Sequence, residues 1–174
     1  KTNKGVLLHP PLVELIREEV YSWRQEGYPG ISDVTRSLLK WWFIERDADD
    51  SGLKYYFCQR EAIESIIYLY EFKKVRSKTD LLKYDKYNIL SEKLLSENWL
   101  RLVIKMATGS GKTKVMSLAL VWSYFHKTLV PDSTLSTNFL ILAPYVIVLQ
   151  RLEKDFGNHK IFNLDPLIPE NDYE

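Results

Sequence analysis

Met106-Ala-Thr-Gly-Ser-Gly-Lys-Thr113 is the stretch whose residue types and spacing best fit a chemical task. Gly109 and Gly111 allow backbone conformations that a Cβ would forbid. A turn built this way aims several amides at one point, and the positive end of a following helix adds to them. The expected ligand is the phosphate chain of a nucleotide, held by Thr108, Gly109, Ser110, Gly111, Lys112 and Thr113. Lys112 would reach the terminal phosphates as a point charge. Thr113 would offer its hydroxyl to Mg²⁺, which makes these two the candidate catalytic and metal-binding residues. The looser form of the motif opens with glycine where this chain has Met106, so Gly-Ser-Gly-Lys-Thr carries the assignment. The competing reading is a glycine-rich strand-to-helix turn with an exposed lysine.

The loop needs an apolar strand before it and a helix after it. Arg101–Met106 reads as a buried strand, and a helix is expected to about Lys127, burying Val115, Leu118, Ala119, Trp122 and Phe125. Leu129–Thr137 is a polar loop with Pro131. Asn138–Ala143 reads as a second buried strand, ended by Pro144, with a helix over Val146–Phe156. Strand, helix, strand, helix in that order predicts an α/β fold with parallel strands and right-handed crossovers. Ligands in such folds bind at the carboxyl ends of the strands, where the loop and Pro144-Tyr145 would both lie.

Upstream, Pro10-Pro11 suits the first turn of a helix carrying Leu12, Leu15, Ile16, Val20 and Trp23, ended by Gly27 and Pro29-Gly30. Ser32 is a candidate N-cap for a second helix, with Val34, Leu38, Trp41 and Trp42 on one side. Asp47–Gly52 is an acidic break. A third helix is expected from about Gln59 to Phe72. The predicted organisation is a helical extension over residues 1–50 and a nucleotide-binding part over 51–174.

Composition narrows the classes. The chain of 174 residues is 45% hydrophobic and 27% charged, which suits a folded domain in water. A net charge of +1 gives no general attraction to polyanions, so any nucleic-acid surface must be a local patch. Cys58 is the single cysteine, which rules out a disulfide framework and a cysteine zinc site. His9, His126 and His159 lack ligand spacing. No apolar run approaches the roughly 18 residues of a membrane span, and no signal peptide opens the chain, so a reducing, cytoplasmic setting is expected. A start at Lys1 without an initiator Met suggests a piece of something larger.

Three segments, in order, resemble superfamily 2 helicases and translocases. These are Phe57-Cys-Gln-Arg-Glu-Ala-Ile63, Ala107–Thr113 and Phe139-Leu-Ile-Leu-Ala-Pro144. The texture is most similar to the helicase-nuclease subunit of type III restriction enzymes and related DEAD/DEAH-box-like restriction helicases. Lys105–Thr113, Gln59-Arg-Glu-Ala-Ile-Glu64 and Ile161-Phe-Asn-Leu-Asp-Pro-Leu-Ile168 carry that likeness, which covers about 53–168. The resemblance implies part of a RecA-like motor lobe, with ATP and Mg²⁺ as cofactors and double-stranded DNA as partner. A modification or specificity subunit is a further implied partner, and no membrane is.

By the same resemblance Gln59 reads adenine, for which a carboxamide is a suitable donor and acceptor, with an aromatic just before it to stack on the base. The turn at Pro144 and Tyr145 would touch a nucleic-acid strand. There the superfamily often has Thr or Asn and a basic residue after the proline; here Tyr145-Val146 follow, and Arg151 takes a later place beside Gln150. Backbone amides or Arg151 then supply the phosphate contact, or Arg151 is a solvated helix residue. An acidic Asp-Glu motif, which such ATPases use to hold Mg²⁺, does not occur in this chain. The expectation is an ATP-dependent DNA helicase or translocase whose activity belongs to the larger protein, this piece alone being inactive and any nuclease domain lying outside it. The alternative is a phosphate-loop nucleotide switch or scaffold without motor activity.

One further feature has two readings. Lys73, Lys74, Arg76, Lys78, Lys83 and Lys86, with Tyr84 and Tyr87 among them, could form a strip for a phosphate backbone. The bland reading is a solvated helical face, since Asp80 and Asp85 interrupt the run.

Overall fold

Local signals decide the helix ends. A computed structural model of the chain describes residues 12–45, 54–85, 100–157, 160–163 and 167–168. Pro10-Pro11, the acidic break at Asp47–Gly52, Lys86 and Tyr87 lie outside the described residues. The described chain divides into two units, one from Lys1–Gly30 with Glu64–Ile104, the other from Ile31–Ile63 with Lys105–Glu174.

In the first unit, α1 (Val13–Gln25) stops at Gly27, whose φ of 77° is the left-handed conformation a helix end favours. The Gly27 amide donates to Arg24 O and the Tyr28 amide to Trp23 O, so the last carbonyls are satisfied. Tyr28 is itself left-handed at φ 59°. Its ring meets Trp23 edge-on at 4.9 Å, and its hydroxyl donates to Glu64 at 2.5 Å. Arg24 also donates to both oxygens of Glu64, whose side chain is fully buried. A buried carboxylate held by a guanidinium and a phenol is paired and hydrogen-bonded, as burial demands. Trp23 packs against Tyr68 and Phe72, and Val20, Ile67, Leu69 and Val75 are buried. The helix α3 (Phe57–Ile67), which belongs to this unit only from Glu64 on, continues as a π-helical turn, Tyr68–Phe72. The short helix α4 (Lys78–Leu82) opens with a capping box between Ser77 and Asp80.

In the second unit, Ser32 caps α2 (Asp33–Lys40), its hydroxyl accepting from the Thr35 amide. A π-helical turn, Trp41–Glu45, follows directly. The helix α2 packs on α5 (Lys112–Leu129), and the Trp122 indole donates to Thr35 Oγ1 at 3.0 Å in the buried contact. Trp42 donates to Leu167 O at 2.7 Å, fixing a residue 125 positions away in sequence. Val115, Leu118, Val121 and Trp122 are the buried apolar residues of α5, with Ser117 and His126 beside them. After α5 the polar loop is tied back to it: His126 Nδ1 pairs with Ser133 Oγ and Lys127 donates to Ser133 O, both at 2.7 Å. The helices α6 (Val146–Phe156) and α7 (Lys160–Asn163) close the unit, with Phe156 against Phe162.

The expected parallel sheet is not found. Among the described residues there is no strand, and the architecture is helical. Arg101–Met106 and Asn138–Ala143 run without ladder partners. Val103 is 89% exposed, Leu140 83% and Leu142 82%, where buried strands were expected. A short apolar run signals a demand for burial and does not say what supplies it. A strand also needs neighbours for its amides and carbonyls, and the described residues provide none.

Candidate functional site

The site is built at the head of α5. Gly109 at φ 78° and Gly111 at φ 82° put two left-handed residues on either side of Ser110. The turn closes on one carbonyl: Ala107 O accepts from the Ser110 amide at 3.4 Å, from Ser110 Oγ at 2.7 Å and from Lys112 Nζ at 2.7 Å. Lys112 is exposed and bends back over the loop, so its ammonium lies at the turn rather than out in solvent. The first intrahelical bonds run from the amides of Lys114 and Val115 to Gly111 O. The amides of Lys112 and Thr113 therefore stand ahead of the hydrogen-bonded ladder, and no side chain caps them. An 18-residue helix with such an N-terminus, a lysine and two glycines can hold an anion.

The two glycines serve different ends. A Cβ at Gly109 would meet nothing within 4 Å, so the position asks only for its conformation. A Cβ at Gly111 would lie 2.2 Å from Gln59 Nε2. Gln59 is buried against the loop, where its Nε2 donates to Ser110 O at 3.0 Å. Its Oε1 accepts from the Tyr56 amide at 2.9 Å, the bond that the third residue of a helix makes back to its N-cap. These two bonds use one donor and one acceptor of the carboxamide and leave one of each. Beside it, Tyr56 and Phe57 are 66% and 59% exposed.

The structure thus brings Gln59 to Ser110 and Gly111, although 51 residues separate Gln59 from Ser110. Thr108 is exposed at the tip of the turn, and Thr113 is half-buried in the first turn of α5. Pro144 and Tyr145 stand immediately before α6, and Tyr145 is 73% exposed. Arg151 lies on α6 with an exposed side chain, 3.8 Å from Asp155. Among the described residues no hydrogen bond or ion pair joins these three to the phosphate loop. The contact between Gly111 and Gln59 had no counterpart in the sequence reading. Its only trace there is the absence of a side chain at 111.

Among the described residues no helix is long and apolar enough to cross a membrane. Comparisons with curated proteins and with solved structures find no match. A family model, type III restriction enzyme, res subunit, matches residues 52–169. That match takes in the glutamine, the phosphate loop and α6, and it covers well over half of the chain, which belongs to the type III restriction enzyme res subunit family.

Proposed function

We propose that this chain is the ATP-binding part of an ATP-dependent DNA helicase or translocase of the restriction type. The observation that carries the reading is the join between Gln59 and the loop at the head of α5, inside the region the family model matches. A nucleotide needs an anion site and a base-reading group within one molecule's length, and here they are in hydrogen-bond contact. The residues fit the group: the loop has two left-handed glycines, a lysine and a helix start that no side chain caps.

Gly109, Ser110, Gly111 and Lys112 would hold the phosphates, with Thr108 at the rim. Thr113 would ligate Mg²⁺, and Gln59 would take the adenine edge with its remaining donor and acceptor. Nucleotide with Mg²⁺ supplies the free energy for stepping along double-stranded DNA. Lys112 must exchange Ala107 O for phosphate oxygens, a neutral acceptor for a charged one, which favours the exchange. Pro144, Tyr145 and Arg151 are the proposed strand contacts on α6, where Arg151 would turn from Asp155 to a phosphate. The assembled enzyme would work with a modification or specificity subunit.

The test is DNA-stimulated ATP hydrolysis by the intact enzyme carrying Lys112→Ala. Loss of turnover with the fold retained by circular dichroism is expected, because the side chain serves the ligand and not the core. Hydrolysis at the wild-type rate would remove Lys112 from the site.

A further inference from the structure

We propose that the surface from Lys73 to Lys83 in the first unit is a second DNA contact, one that takes the phosphate backbone without reading bases. This deepens the DNA reading above and rests on it. Five cations and one carboxylate lie in these eleven residues, while the whole chain carries only +1. The stretch is thus strongly cationic for its length, and the remainder of the chain taken together is net acidic.

The solvated-helix reading of this run does not match its shape. Residues 73–77 are not helical, Lys74 sits at a left-handed φ of 55°, and α4 has only five residues. The two interrupting acids are both engaged. Asp85 is buried at 6% exposure. Asp80 accepts from the amides of Arg76 and Ser77, both at 2.9 Å, and those bonds hold its carboxyl below the usual carboxylate range.

Two of these cations, Arg76 and Lys83, lie over aromatic rings. Arg76 lies 3.7 Å from the Tyr70 ring centroid while its Nη1 donates to Tyr70 O and Val75 O. Lys83 lies over Tyr84, a buried ring that therefore serves as a platform and not as a base-stacking partner. Lys73 is spent on Glu19 at 3.2 Å. Lys74, Arg76, Lys78 and Lys83 remain, and a pre-placed guanidinium among lysines suits a row of phosphates.

The experiment measures binding of the full chain to a fluorescein-labelled 20-base-pair duplex across a salt series, with Mg²⁺–ATP binding followed on the same preparations. The test variant is Lys74→Gln/Lys78→Gln/Lys83→Gln, which spares the hydrogen-bonded Arg76. A charge-matched control changes Arg17, Lys40 and Lys160 to Gln, and a conservative variant changes Lys74, Lys78 and Lys83 to Arg.

Each lost phosphate contact removes about one unit of slope in log K against log salt. The test variant should lose about three units and at least about tenfold in affinity at 0.1 M salt. The control and the arginine variant should stay near wild type, and ATP binding should not change. Equal slopes in test variant and control would overturn the surface, as would binding to anionic vesicles without binding to the duplex. ATP binding that survives in either case would leave the nucleotide site standing, so the two failures are separable.

Discussion

Gln59 carries two tasks through one carboxamide. Its Oε1 holds the start of α3 and its Nε2 holds the loop at Ser110, so base recognition and loop position share a side chain. We expect Gln59→Ala to lower the preference for ATP over GTP more than it lowers phosphate binding. An unchanged ATP-to-GTP ratio of turnover would make Gln59 a strut alone. Gly111 belongs to the same device, since any side chain there meets Gln59 in addition to the cost of a left-handed backbone, about 1–2 kcal/mol. At this scale the sequence was readable where chemistry is local. The loop residues lie in eight consecutive positions, and glycines beside Lys-Thr announce their conformation. The burial of Glu64 under Arg24 and Tyr28 was not readable, because nothing near Glu64 marks partners 40 and 36 residues away.

Helices were legible because their ends are written in single residues. Gly27 after α1, Ser32 before α2 and Gly111 before α5 do what their types suggest. The strand expectation failed, because Arg101–Met106 and Asn138–Ala143 declare apolar character and leave its partners unspecified, and among the described residues neither segment is a strand. Two contacts between elements invite direct tests. Thr35 Oγ1 accepts the indole N–H of Trp122 inside the packing of α2 on α5. Thr35→Val keeps the shape and strands that buried donor, a cost of about 1–3 kcal/mol. Thr35→Ser should recover most of the loss in a denaturant titration, and equal stability of the Val variant would deny the bond its weight.

The second test is acid sensitivity of α4. The Asp80 carboxyl is lowered first by the Arg76 amide and then by the Ser77 amide. A lowered folded value means that its contribution is present above the unfolded value near 4 and is lost as pH falls through the folded one. Amide exchange at Arg76 and Ser77 should therefore accelerate, relative to neighbouring residues, below about pH 4. In Asp80→Asn that local change should vanish, since the amide oxygen still accepts. If the variant shows the same acid step, another group is responsible.

At the scale of the molecule, each unit has its own core, one organised around Trp23 and the buried Glu64, the other around α2, α5 and Trp42. The residues of the candidate nucleotide site all belong to the second unit. Membership in the family rests on residues 52–169, yet Thr35 lies before that stretch and packs against the phosphate-loop helix, and Trp42, also before it, bonds Leu167 within it. The helix α2, which precedes the family region, therefore packs on the phosphate-loop helix, a role that composition could not reveal. The central claim is that this chain binds ATP through the loop and Gln59. Calorimetric titration of the full chain with Mg²⁺–ATP tests it most directly. Losing charge-assisted bonds worth about 1.5–3 kcal/mol weakens binding about ten- to a hundredfold. The account predicts saturable binding by the wild type and a loss of that size in Lys112→Ala, with Gly111→Ala also weakened. Equal affinities of wild type and Lys112→Ala, or no binding by the wild type, would contradict it.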